Sequence, residues 1–489
     1  MLYNSLEFAV FLAAAVLGYH LCPLAWRRTH LLIASYAFYC TWSIPFAALL
    51  LAVSWLAFTL GARMGALPDG RARTAYLWTG VGLLLVPLVA FKYLGGLGAG
   101  GGGWLAGSTV GAALVAHFVG AVGISYYTLK LISYLVDIYW QRSAPCPSFA
   151  AVATYAAFFP QILSGPIQRA DDFLRQVEHL GRPDPRMVIS GLQLLLFGLF
   201  EKLVVADRLG VVVDQVYARP EKFTGGVVAL ATYLFAIQLY ADFAGLTDVA
   251  IGSARLFGIQ SPPNFDSPFY AENIQEFWRR WHMTLTTWLR DYLFTPVRMA
   301  LRNWGQVGLI VSLVINMVAI GVWHGPRLTF VVYGLVHAAY LVGSSLTLRA
   351  RTKWLRARPV LQRLHTLVGP LVTFNMVVGS FILFRADTLG QAWHVLRLCL
   401  SPLLALRGSA AHAQAAGFSA LGWTQADAPL AVWAVIVMES VHLLQRRGRL
   451  SALVGGMPGW LRWAAYCTLG FSILLWGDTG AKQFIYVRF

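Results

Sequence analysis

Residues 275–324, QEFWRRWHMTLTTWLRDYLFTPVRMALRNWGQVGLIVSLVINMVAIGVWH, decide how the rest of the chain is read. They gather polar side chains in an otherwise oily sequence. Trp278, Trp281, Leu285, Trp288 and Tyr292 recur at steps of three and four, which predicts one apolar face on an amphipathic helix. Glu276, Arg280, Thr284, Thr287 and Asp291 form the opposite stripe, with Glu276 one turn before Arg280 in the favourable order for a helical ion pair. Arg290, Arg298 and Arg302 then lead into an apolar run, 307–323, that stops at His324, Gly325 and Pro326. A histidine thus stands where a membrane helix is expected to break.

The surrounding composition sets the solvent. Of 489 residues 58% are hydrophobic and 12% charged, and the mean hydropathy of +0.61 excludes a water-soluble domain of this size. Backbone groups in lipid have no water to bond, and the alternation of a membrane β-barrel is absent, so the expected fold is all-α. It is a polytopic transmembrane bundle with re-entrant and interfacial amphipathic helices around a central polar site, one integral membrane domain over 1–489. The net charge of +17 comes from Lys and Arg clustered between apolar segments, which reads as positive-inside loops and not as a nucleic-acid surface. Cys22, Cys40, Cys146, Cys399 and Cys467 are scattered singly, without metal-ligand spacing, and no metal is expected.

Taken in order, 6–21 is a retained first helix with its N-terminus outside, since its basic residues Arg27 and Arg28 follow the apolar run. Segments 31–42 and 46–60, split at Pro45, read as a tilted hairpin of short pieces, and 76–91 crosses again. Gly96, Gly98 and Gly101 match GxGxxG formally. No strand and helix flank them, so the stretch 95–103 reads as an external loop. Region 110–139 is long enough that part of it must bend. In 157–176, Pro160, Gly165 and Pro166 rule out a regular helix, which predicts a re-entrant segment bordering the polar site.

Spans at 187–205 and 227–241 follow, and Asp242 at the end of the latter either ties helix ends or takes part in chemistry. Segment 330–346 leaves through a loop carrying Arg349, Arg351, Lys353, Arg356, Arg358 and Arg363, which sets the cytoplasmic side. From there 368–384 runs out, 386–428 is an extracytoplasmic loop, 430–444 returns and 460–475 takes the C-terminus out. Both termini are therefore expected outside, and His324 deep in the membrane or toward its outer face.

A histidine in such a place titrates near neutrality and suits a base that takes a proton from an alcohol, or else it only bonds neighbouring helices. His324 is accompanied by His282 in the amphipathic segment. The run FWRRWHMTLTTWLRDYLF followed by VWHG resembles the signature of the membrane-bound O-acyltransferase (MBOAT) family, in its alginate O-acetyltransferase-like bacterial branch. SLEF at Ser5, FKYL at Phe91, GISYYTLKLISYLVDIY at Gly123, FFPQILSGPIQRADDF at Phe158, GLFEKLVVADRL at Gly198, ADFAGLTDVAIGSARLFGI at Ala241 and the terminal FIYVRF are similar to that branch in the same order. Residues 401–428 match nothing in it.

The resemblance implies acyl transfer from a thioester to a hydroxyl. The family's essential histidine falls on His324 and its second on His282. His282, Trp281 or Asn316 would steady the oxyanion, Arg279 and Arg280 would hold coenzyme A phosphates or anchor the interface, and Trp323 and Asp242 complete the candidate donor-binding set. It also implies cytoplasmic acetyl-CoA as a substrate with no bound cofactor, an extracytoplasmic SGNH-type acetyl-relay protein, and an exported polysaccharide such as alginate or cellulose as acceptor. No Ser or Cys stands in an activated setting, which favours direct transfer. D-alanyl transfer from a carrier-protein thioester is the rival within this fold. A transporter or flippase, or a non-catalytic scaffold of an export complex, is the rival of another class, and no internal symmetry supports transport.

Overall fold

The computed structural model describes residues 1–94, 123–405, 422–424, 426–446 and 449–477. The glycine-rich stretch 95–103, the start of 110–139, residues 406–421 of the external segment and the terminal FIYVRF lie outside them. Among the described residues there is no strand. The helices are α1 (Leu6–Leu21), α2 (Arg27–Cys40), α3 (Ile44–Gly65), α4 (Arg71–Val89), α5 (Ile124–Tyr139), α6 (Phe149–Ala157), α7 (Ala170–Glu178), α8 (Pro185–Phe200), α9 (Asp207–Ala218) and α10 (Gly225–Leu256). They continue as α11 (Ile274–Arg280), α12 (Met283–Leu289), α13 (Thr295–Ala300), α14 (Gly305–His324), α15 (Leu328–Arg356), α16 (Pro359–Arg385), α17 (Leu389–Ala405), α18 (Asp427–Arg446), α19 (Arg449–Gly456) and α20 (Gly459–Trp476).

Eight helical stretches among these residues are long and apolar enough to cross a bilayer. Their outer rows are greasy: Leu367 is 76% exposed and Ile44 71%. Side chains of that kind in contiguous rows need lipid as solvent. The chain is a multi-pass membrane protein.

The sequence reading needs four corrections. The piece beginning at Phe46 is not short, because Ser43 caps α3 and Pro45 sits in its first turn, so 22 residues run without a break. Span 227–241 continues as α10 to Leu256, which puts Asp242 within a helix and not at its end. The basic loop after 346 is helical to Arg356, since Arg, Lys and Leu are good helix formers and no Pro intervenes before Pro359. Within 386–428, Thr388 caps α17 by accepting from Gln391 N at 3.1 Å, and the Gln391 amide oxygen accepts from Asp387 N at 2.8 Å.

By contacts the chain divides into two compact units, Met1–Leu195 with Leu246–Pro263, and Leu196–Gly245 with Asn264–Phe489. In the first, residues 158–169 are irregular and almost wholly buried, as expected of a re-entrant segment. The backbone polar groups of this segment find partners. Thr247 Oγ1 donates to Ser164 O at 3.2 Å and Tyr155 Oη to Gln168 O at 2.9 Å. Gln161 accepts from Lys130 Nζ at 3.1 Å and donates to Gln168 Oε1 and Ser261 Oγ, each at 2.8 Å. In the second unit α14 and α15 approach closely through glycines. A Cβ on Gly321 would collide with Phe330 O, and one on Gly334 would meet Met317 O at 2.5 Å.

Candidate active site

The expected single amphipathic helix over 278–292 is two helices with a hinge between them. Asn273 starts α11 by accepting from Glu276 N at 3.0 Å, while the Glu276 carboxylate accepts from Glu272 N at 2.7 Å and holds Arg280. At Trp281 the backbone becomes extended, and at His282 it turns left-handed with φ 44°. That conformation costs a residue with a side chain roughly 1–2 kcal/mol. The loop before α11 imposes it. Asp266 N donates to Arg280 O at 3.1 Å and Met283 N to Asn264 O at 2.8 Å. Asn264 Oδ1 accepts from Thr284 N at 3.2 Å and Thr284 Oγ1 at 2.7 Å, capping α12. The apolar face survives the break, with Trp278, Trp281, Leu285 and Trp288 all buried.

This hinge is open to test. Replacing Asn264 with Leu removes the acceptor shared by the buried Thr284 amide and hydroxyl, a loss of about 1–3 kcal/mol. The expected result is a lower unfolding midpoint for the detergent-solubilised protein. An unchanged midpoint would mean that the hinge is held by other contacts.

The turn buries the His282 ring against Phe243, with centroids 4.6 Å apart, and against Trp323 at 5.6 Å. Neither ring nitrogen has a hydrogen-bond partner among the described residues. Most buried polar atoms are hydrogen-bonded, and an exception marks a candidate functional position. Trp323 also meets His324 at 5.1 Å, so the two histidines flank one indole. His324 ends α14, is buried, and is boxed by Phe384 at 4.8 Å, Phe330 at 6.0 Å and Tyr333 at 6.3 Å. Gly308, Ser312, Asn316, Ile320 and His324 follow one another at four-residue steps on the buried face of α14. Asn316 Oδ1 is buried with no partner among the described residues.

His282, Trp323 and His324 therefore meet, with Asn316 on the same helix face as His324. Trp281 packs among Tyr240, Phe265, Phe269, Phe277 and Phe381 as an aromatic wedge. Arg279 is exposed, whereas Arg280 is tied to Glu276. Asp242 Oδ1 forms an ion pair with Lys202 Nζ at 2.7 Å, and the same ammonium donates to Asp207 at 2.9 Å, with all three side chains buried. Asp242 is thus engaged in an ion pair from within α10.

Three further networks escaped the sequence reading. Trp278 Nε1 can only donate, so His337 Nδ1 accepts it at 3.2 Å. The His337 proton then sits on Nε2 and goes to Ser380 Oγ at 2.9 Å, and the Ser380 hydroxyl donates to Val377 O at 2.7 Å. His442 Nε2 lies 2.8 Å from Glu201 Oε1, and its Nδ1 is bonded to the Tyr240 hydroxyl at 3.1 Å. Lys202 meets Asp207 through the wide turn Glu201–Ala206, where residues five apart come into register, and meets Asp242 across from α10. Glu201 and Lys202 stand inside an apolar run, a signal that sequence alone carries. His337 and His442 are single histidines in spans and carry no such signal.

Residues 140–381 match the sequence model of the MBOAT, membrane-bound O-acyltransferase family, a range that includes both clustered histidines. A probable alginate O-acetylase AlgI from Azotobacter vinelandii is 30% identical over 81% of this chain and 77% of its own. A peptidoglycan O-acetyltransferase from Helicobacter pylori is 30% identical over 58% of this chain and 57% of its own. A teichoic acid D-alanyltransferase from Streptococcus thermophilus is 29% identical over 56% of this chain and 69% of its own.

Proposed function

The chain belongs to the membrane-bound O-acyltransferase family and is an O-acyltransferase, and from that premise we propose that it moves acetyl groups from cytoplasmic acetyl-CoA to a hydroxyl beyond the membrane. The acceptor is an exported polysaccharide of the alginate or cellulose class, reached directly or through an extracytoplasmic SGNH-type relay protein. The observation that carries this reading is the pair of buried histidines on one indole, one of them with both nitrogens unpartnered among the described residues.

In the proposed step His324 takes the proton of the acceptor hydroxyl as its oxygen attacks the thioester carbonyl. A carbon–oxygen bond forms, and the carbonyl electron pair moves onto oxygen. A neutral His282 has one N–H to offer that oxyanion, and burial strengthens the bond. When the intermediate collapses the carbon–sulfur bond breaks, and the thiolate receives the proton held by His324. Arg279 is the better candidate for the donor's phosphates, because Arg280 is already engaged by Glu276.

The alginate O-acetylase relative matches 81% of this chain and the D-alanyltransferase 56%, which supports acetyl over D-alanyl transfer. The test is thiol release by the detergent-purified protein, with acetyl-CoA or a D-alanyl carrier protein as donor, in the presence and absence of an extracytoplasmic acceptor. Acceptor-dependent release from acetyl-CoA is expected. Release from the carrier alone would replace the acetyl reading, and a folded protein inert toward both would be a scaffold or transporter.

A further inference from the structure

A groove of about 490 Å³ opens between α15, α16 and the residues leading into α11, away from the histidine pair. Its walls are apolar: Ile274, Ala339, Val368, Val372 and Met376. Val368 and Val372 continue into the exposed greasy row of α16, so the groove is open toward the surrounding lipid. Its floor includes Gly343, where an added Cβ would meet nothing within 4 Å.

Glu272, Arg351 and His365 line the same groove. None of their side chains makes an ion pair or hydrogen bond among the described residues. Arg351 and Glu272 carry opposite charges, share a groove and do not pair with each other. Ser344 Oγ, also on the lining, is buried without a partner among the described residues. The groove lies at the basic end of α15, which continues to Lys353 and Arg356.

We propose that this groove binds a phospholipid with a primary-amine head group, of the phosphatidylethanolamine class, from the bilayer around the protein. The head-group phosphate meets Arg351 and His365, and Ser344 donates to it. The ammonium meets Glu272, and one acyl chain runs along Val368, Val372 and Met376. A purely anionic lipid would satisfy Arg351 and leave Glu272 facing like charge. A choline head group carries a cation that cannot donate a hydrogen bond to the carboxylate. A volume of this size falls in the ordinary range for a small-molecule site and accommodates the head group and the first part of a chain. The proposal stands apart from the transfer reaction and does not depend on it.

The experiment is native mass spectrometry of the intact protein, released from micelles after incubation with phosphatidylethanolamine, phosphatidylcholine or phosphatidylglycerol of matched chains. Wild type is expected to retain the ethanolamine lipid about tenfold over the choline lipid, the scale of one charge-assisted hydrogen bond. Glu272→Gln should equalise those two, and Arg351→Ala should weaken both. Gly343→Leu fills the groove without touching its charges and should exclude all three. The proposal is overturned if the three variants hold the ethanolamine lipid as wild type does, or if wild type holds the glycerol lipid equally well. Displacement of the bound lipid by acetyl-CoA would also overturn it, assigning the groove to the acyl donor.

Discussion

His324→Ala is expected to lower acceptor-dependent thiol release by about 10²- to 10⁴-fold, the usual contribution of a positioned general base. The loss should fall on the turnover number and leave donor affinity nearly unchanged, because the imidazole acts on the acceptor's proton and not on the donor's phosphates. Truncation leaves a hole beside Phe330, Tyr333 and Phe384, so some stability is lost with it. His324→Gln separates the two effects. It fills most of the space, keeps a polar end and has no basic nitrogen, so its turnover should fall as far while its unfolding midpoint stays near wild type. Wild-type rates in both variants would remove His324 as the base.

Lys202→Met should produce the largest loss of stability, about 3–5 kcal/mol, the range for removing one member of a buried ion cluster. The ammonium is the shared partner of Asp242 and Asp207, and all three side chains are buried. Without it two carboxylates remain close together in a medium of low dielectric. The double variant Lys202→Met with Asp242→Asn removes one of those two charges and should recover part of the loss. Unfolding midpoints in detergent, read together with the monodisperse fraction after extraction, measure both. A single variant that unfolds with wild type would show the cluster to be dispensable.

Much of the architecture was readable because lipid simplifies the code. Helix α1 starts and stops where its apolar run does, at Leu6 and Leu21. The break at His324 coincides with the Gly-Pro that follows it. The irregular 158–169 stretch follows from prolines and glycines at a depth where backbone needs cover. The His282 hinge was not readable, and the reason is tertiary. Its spacing of apolar residues is that of a continuous helix, and only the hydrogen bonds brought by Asn264 and Asp266 turn the chain there. The beginning of α17 was legible in principle, since Thr388 and Gln391 have capping-box spacing, but few charges in the following segment made it look like loop.

Pairing across long sequence distances was the other blind spot. Asp242 and Lys202 lie 40 positions apart and Tyr240 and His442 lie 202 apart, and nothing in either local pattern names the partner. The composition told that such polar groups must be matched inside the membrane, and the fold supplied the match. The two histidines are a different case, because the resemblance to the acyltransferase signature singled out both before their contact with Trp323 was seen.

The left-handed backbone at His282 sets endurance against turnover in this chain. Glycine or asparagine would accept that φ at little strain and would bury no idle ring nitrogen. Either replacement is therefore expected to relieve the backbone there, and to remove the imidazole that the proposed transfer uses. Any effort to harden this protein for industrial use should hold that one position fixed and draw its improvements from the loops and the lipid-facing rows.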